Sequence, residues 1–499
     1  MSANALAMGW EEWVRHDATS LAALVRGGQL AAREVTAQAA AGVARVNGTL
    51  NGVLEVFDDV VADPSVDRPD RAGRLYGVPM FLKDLGSRLK GRRQESGTRL
   101  MAGNVAKDTD PLVENFLSAG LVPIGRSTCP EFGMTFDTAT SYLGHVHVTR
   151  NPWNTARTPG GSSGGSAAMV AAGVTPISMA SDGGGSTRIP ASFCGLVGLK
   201  ASRGRMAMPL AHSEFTWRIA VEGVVTRSVR DTAVAMDYLT RMPNGGTFYP
   251  MQRFEGSYAE AIGQAPGRLR VALSTGTWGR PGQCDPEVAE RVRGLGRLLE
   301  TLRHDVAEID DARICDWDAM WNGYITQWIC GRVLYQPIAE TGGMDGAGML
   351  AALTPMVRRH FEAAQRYSTL DLYKAMACNN VVTRGFGRTM DAWDLLLCPT
   401  LAIRVPEANG PYSLLNDEPL DGWIEKLSSA CRYTMPGNES GLPGISIPVG
   451  FDPDGLPVGA MLYANFGRED LLLRVAAQIE AAKPEWFART PKLSVVTPD

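Results

Sequence analysis

The chain has 499 residues, 44% of them apolar and 20% charged, and its 49 basic and 53 acidic side chains leave a net charge of -4. This is the composition of a globular protein with a large core, long enough for about two to four ordinary domains. No run of Lys or Arg points to nucleic acid or an anionic membrane surface, and no stretch of 18 apolar residues predicts a membrane span.

The start, MSANALAMGWEEWVRHD, has no basic segment followed by an apolar core, so no secretory signal is expected; a mature chain stripped of its signal would read the same. Residues 20–60, rich in strong helix formers, are expected to be helical. YGVPMFLKD (76–84) predicts a buried strand ending at a charged pair. Asp110 and Pro111 then predict a helix start, with Asp110 as N-cap and Gly120 as the stop. LVPIGRS predicts the next strand, LRVALST (269–275) another, and a long helix is expected from Asp285. Residues 340–365 read as irregular helix, a candidate inserted cap. WDLLLCPT, GISIPVGF and VGAMLYANF predict strands, and REDLLLRVAAQIEAA the helix after them. Strands alternating with helices predict a layered α/β fold around a mostly parallel or mixed sheet, and no repeat or linker marks a domain boundary.

The eight cysteines are scattered with no C-x-x-C spacing, which predicts reduced thiols and a cytoplasmic setting. The six histidines form no H-E-x-x-H pattern. His145 and His147 are two apart and could share a strand face, but a core or solvated role is expected rather than a metal site.

One segment differs from the rest. Between Thr158 and Arg205 lie two Gly-Ser-rich loops, Gly160 to Ser166 and Asp182 to Arg188. A small-residue helix (SAAMVAAG) and an apolar strand (ISMAS) separate them. Such closely flanking structure argues against flexible linkers. The first loop lacks G-x-x-x-x-G-K-[ST], and neither loop matches G-x-G-x-x-G with an acid downstream, which argues against a phosphate cradle. GGSSG does match G-x-S-x-G, but RNPWNTARTP precedes it where a nucleophile elbow needs a strand. Catalysis fits better. Consecutive glycines let backbone N–H groups converge, so Gly183, Gly184, Gly185 and Ser186 are candidates for an oxyanion hole. A serine nucleophile needs a base, and the segment holds no histidine. A buried, neutral lysine could serve, and Lys83 follows the apolar run 77–82.

GGSSGGS, DGGGSTRIPASFCGLVGLK and the upstream GVPMFLKD resemble, in this order and spacing, the marks of the amidase signature family. PLVENFLSAGLVPIGRSTCPEFG, EGVVTRSVRD and GNESGLPGISIPVGFDPDGLPVGAMLYANFGREDLLL are family-like too. The resemblance covers most of residues 10–490, more weakly between about 205 and 400. Within the family the chain is most similar to bacterial hydrolases of cyclic nylon oligomers and to amidase-type urethanases.

The resemblance implies a layered α/β/α fold with a central mixed β-sheet, in one domain spanning residues 1–499. The catalytic core would lie at about 70–210, a cap or pocket region at about 205–400, and C-terminal core strands and a helix at about 400–490. It implies a Ser-cisSer-Lys triad: Ser186 as acyl nucleophile, Ser162 as the bridging serine on a cis bond to a neighbour between Gly161 and Ser163, the Gly161–Ser162 bond before the other, and Lys83 as base. Ser163 and Ser181 would support the lysine or the bridging serine, and Asp182 and Arg188 would hold the nucleophile loop. Arg205 either lines the site or is solvated. Trp321, Tyr324 and Trp328, with the stretch 207–217, are candidates for the pocket, core packing being the alternative for each.

The expected reaction is hydrolysis of a small amide, anilide, lactam-type or carbamate substrate without metal or organic cofactor, with ester cleavage as a side activity. The expected partner is that small molecule, with a homodimer as the candidate assembly. The alternative is a glutaminase component of a tRNA-dependent amidotransferase, working in a complex. A non-catalytic binding protein and a histidine-triad esterase are the remaining readings.

Overall fold

The protein is described from a computed structural model over residues 6–210, 219–247, 250–311 and 314–497. The pocket candidate at 207–217 therefore lies outside the described residues from position 211 on. Helices Ala18–Arg26 and Ala32–Leu50 form where strong helix formers cluster. Asn51 then takes a left-handed backbone (φ 51°) and stops the second helix. A short strand, β1 (Val53–Val56), follows inside the segment expected to be helical throughout. That expectation fails because β1 is made by its partner. It pairs antiparallel with β3 (Val122–Ser127), far along the chain, and four residues carry too little pattern to announce it.

The expected strand before Lys83 is β2 (Pro79–Lys83), buried at every position and paired in parallel with β3. Near-continuous apolar runs suit strands covered on both faces. The helix between them, Pro111–Ser118, starts on Pro111, and Gly120 (φ 85°) turns the chain away. The N-cap expectation needs correcting in one respect. Asp110 holds the N-cap position, but its carboxylate caps nothing in its own helix. It accepts hydrogen bonds from Arg88 N and Leu210 N, each at 2.7 Å, because two loops converge on it with unsatisfied N–H groups.

A two-residue ribbon, β4 (Ala139–Thr140) with β5 (His147–Val148), leads into the main sheet. Its strands are β6 (Ile177–Asp182), β7 (Val197–Lys200), β8 (Val221–Thr226), β9 (Arg270–Leu273), β10 (Asp305–Glu308), β11 (Leu395–Pro399), β12 (Gly444–Phe451) and β13 (Pro457–Tyr463). Their spatial order is β10-β9-β11-β13-β12-β7-β8-β6. The sheet is mixed: β9 pairs in parallel with β10 and β11, and the other pairings are antiparallel. Helices flank it. In Pro286–Thr301 the buried residues Val288, Val292, Leu295 and Leu299 recur at helical spacing, and Asp285 caps the start by accepting from Glu287 N at 2.9 Å.

Two placements prepare the site. β2 runs beside the β6 edge of the main sheet, with Phe81 N donating to Ser178 Oγ at 3.4 Å. Between β10 and β11 the described chain is a succession of helices, from Trp317–Met320 to the 24-residue Thr369–Ala392. No helix among the described residues is long and apolar enough to cross a membrane.

Candidate active site

β6 ends at Asp182, and three glycines turn the chain into the short buried helix Arg188–Cys194. Gly185 needs to be glycine: its φ is 131°, and a Cβ there would meet Ile189 Cδ1 at 2.6 Å and Thr434 Oγ1 at 2.7 Å. Asp182 organises the turn. It accepts from Gly185 N at 2.7 Å, Thr187 N at 3.2 Å and Asn438 Nδ2 at 2.9 Å. Arg188 meets it through two bonds of 2.9 Å and reaches on to Tyr463 Oη at 2.8 Å and Asn438 Oδ1 at 2.6 Å. Burial pushes the Asp182 carboxyl up, but the Arg188 charge and the hydrogen bonds from Arg188 and Asn438 outweigh it and hold the group well below the ordinary carboxylate range. Asp182 and Arg188 thus form a fully buried ion pair beneath the loop. Arg188→Ala should leave a buried carboxylate without its countercharge and cost about 3–5 kcal/mol, read from urea unfolding. Stability within about 1 kcal/mol of wild type would show that the loop is held otherwise.

The other Gly-Ser loop precedes helix Gly164–Ala171, and its Gly161–Ser162 peptide is cis, the first of the two candidate bonds between Gly161 and Ser163. Lys83, at the end of β2 and 1% exposed, points across to it. Lys83 Nζ donates to Ser162 Oγ and to Ser181 Oγ, both at 2.8 Å. Ser163 Oγ accepts from Ser181 N at 3.2 Å, tying this loop to β6. Burial lowers the lysine to about 8; Cys129, Glu222 and Asp182 pull weakly the other way.

Ser162, Ser181, Gly183, Gly184 and Ser186 line one cavity. Ser186 is half-buried, and no hydrogen bond among the described residues engages its hydroxyl. Gly185 differs from its neighbours: its N–H is already given to Asp182, whereas Gly183, Gly184 and Ser186 face the cavity. Tyr324 Oη donates to Gly183 O at 2.7 Å and Thr434 Oγ1 to Gly184 O at 2.8 Å, so both carbonyls are held by neighbouring elements.

Of the pocket candidates, Tyr324 and Trp328 line the cavity, and Trp321 does not. Trp321 packs below the Arg280 guanidinium, 5.3 Å from ring centroid to Cζ. Arg205 neither lines the cavity nor is solvated. It is buried, bonded to Glu469 at 3.1 Å and to the Gln252 carbonyl at 2.5 Å, because a buried guanidinium must find acceptors.

Glu222 was missed. It lies opposite Ser181 in the β6–β8 pairing and accepts hydrogen bonds from the N–H and hydroxyl of Ser87. Burial raises it to about 7. A lone acid in the apolar strand VEGVVT was the available signal. Two other groups with base-like chemistry stand apart. Lys200 is buried, but its Nζ donates to Ala201 O at 2.9 Å and does not line the cavity. His360 packs against Trp328 and Trp423, and burial lowers it to about 3. No histidine lines the cavity among the described residues.

The family model for amidases matches residues 34–473. The chain belongs to the amidase signature family. It is 35% identical over 490 residues to the 6-aminohexanoate-cyclic-dimer hydrolase of a Pseudomonas species (strain NK87), covering 96% of each chain. It is 30% identical over 490 residues to an acylamidase of Rhodococcus erythropolis, covering 96% of this chain and 98% of the relative. The solved structure of a 6-aminohexanoate cyclic dimer hydrolase with substrate superposes with a TM-score of 0.89 at 32% identity, covering 97% of this chain and all of that one. This amidase is accordingly a hydrolase of amide bonds with the layered mixed-sheet fold of its family.

Proposed function

We propose that this amidase cleaves small linear or cyclic amides, anilides and carbamates through an acyl-enzyme on Ser186, with Ser162 and Lys83 moving the protons. The observation that carries the reading is the 2.8 Å bond between Lys83 and Ser162 beside a cavity that also holds the free Ser186 hydroxyl. Neutral Lys83 takes a proton from Ser162, which takes one from Ser186 as its Oγ bonds to the substrate carbonyl carbon. The N–H groups of Gly183, Gly184 and Ser186 receive the oxyanion. The C–N bond breaks as Ser162 returns a proton to the leaving nitrogen, and Lys83 reprotonates Ser162. Water then attacks the ester, its proton follows the same relay, and the acid leaves. An activated ester enters the same path without needing a protonated leaving group. Carbamates present the same carbonyl carbon to the same nucleophile.

Eight free cysteines, seven of them buried, fit a reducing cytoplasm. The purified chain alone, offered aryl anilides, primary amides, lactams, carbamates and glutamine, is expected to turn over at least one of the first four. Glutamine hydrolysis that appears only with an added partner protein, and no turnover otherwise, would favour the amidotransferase reading instead.

A further inference from the structure

The described residues lining the active-site cavity include no carboxylate and a single cation, Arg332. The rest of the wall around it is largely apolar and aromatic, with Phe132, Phe136, Trp328 and Met134 prominent. Arg332 is half-buried and, among the described residues, has no acidic partner within ion-pair distance. It is nevertheless held in place. Its Nε donates to Trp328 O at 2.9 Å and its Nη1 to Tyr335 Oη at 2.8 Å. Tyr335 in turn is buried and stacks on Phe132 at 4.2 Å. This leaves Nη2 without an acceptor among the described residues, on a guanidinium whose orientation is already fixed. A charge kept unpaired beside apolar surface is costly unless water or a ligand meets it, and a rigid fork of N–H donors suits a carboxylate.

Its place relative to the chemistry follows from three consecutive helical segments, Trp321–Ile325, Thr326–Cys330 and Gly331–Leu334. Tyr324, Trp328 and Arg332 are four residues apart and all line the cavity. Tyr324 marks the end at the nucleophile loop, through its bond to Gly183 O. Arg332 lies eight residues further on, in the short 3-10 turn Gly331–Leu334, at the other end of this helical stretch. The apolar wall fills the span between.

We infer that Arg332 selects amides that carry a carboxylate separated from the scissile bond by an apolar spacer of several methylenes. The inference rests on the amidase reading above and names the substrate class within it.

Four probes test it. Suberic acid mono-p-nitroanilide is compared with octanoyl-p-nitroanilide, and N-acetyl-6-aminohexanoate with N-acetylhexylamine; each pair differs by one carboxylate, on the acyl side or the amine side. The wild type should favour the acid in at least one pair, by KM rather than kcat. In Arg332→Gln the acid-to-neutral ratio of kcat/KM should fall about 10- to 100-fold, the effect of losing a charge-assisted bond. Arg332→Lys, which keeps the charge, should retain part of the preference. Circular dichroism and melting curves of each variant establish that the fold is intact. Turnover of the probes without acid preference, or a ratio unchanged in a folded Arg332→Gln, overturns the inference and leaves the amidase reading standing. Failure to cleave any of the four, together with every amide and carbamate of the wider panel, overturns both.

Discussion

Replacing Ser186 with alanine should lower amide turnover by ~10³-fold or more while the protein keeps its melting temperature. Ser186 ends the triple-glycine turn, half-buried, with a hydroxyl that no other described residue engages. Removing one oxygen from that position takes nothing from the hydrogen bonds that hold the loop, which run through Asp182, Arg188 and Asn438. Activity should therefore disappear without loss of stability. Mass spectrometry gives the second readout: a slowly deacylating carbamate should add its acyl mass to wild type and not to Ser186→Ala. Near-wild-type turnover by a clean Ser186→Ala preparation would remove Ser186 as nucleophile.

Lys83 should set the pH dependence. An ordinary lysine near 10.4 would be neutral in about one molecule in two thousand at pH 7. Burial brings Lys83 to about 8, which makes the neutral form about one in ten there. The base is the neutral form, so kcat/KM should rise with pH through an ionisation near 8 and level off above it. Lys83→Ala should lose that rise. It should also lose about 10²–10⁴-fold on anilides and clearly less on activated esters, whose leaving group departs without a proton. Equal losses on both substrates, or an unchanged pH profile, would place the base elsewhere. Glu222 is a candidate for shaping the same profile. As an anion it would favour the Lys83 ammonium, and burial keeps it protonated up to about 7.

The legible parts of this molecule were those with local causes. The apolar run before Lys83 announced β2, and the long helix expected from Asp285 is Pro286–Thr301. Gly120 marked a helix stop because only glycine adopts its backbone angle freely. β1 escaped because four residues inside a helix-rich stretch carry no period, and its partner strand supplies the pairing. Asp110 kept its position and changed its task, because loops from elsewhere offered better donors. Arg205 and Trp321 looked like pocket residues by type. Their neighbours, Glu469 and Arg280, were decided by distant packing.

The sequence by itself determined the reactive vocabulary: two serines 24 positions apart in glycine-rich loops, a lysine behind an apolar strand, and a family pattern that names their order. Backbone freedom, burial of an apolar run and helix punctuation all act within a few residues, so they can be read from a string. Only the tertiary structure decided which of those groups meet. It brought Lys83 to Ser181 across 98 positions and Asn438 to Asp182 across 256. It turned the Gly185 N–H away from the cavity and set Arg332 on its wall as the one cation among the described lining residues. Those outcomes depend on β2 lying beside the β6 edge and on the helices after β10 folding back over the Asp182–Arg188 loop. Contacts of that kind join segments whose local patterns are independent, and the packing of the whole chain selects among them.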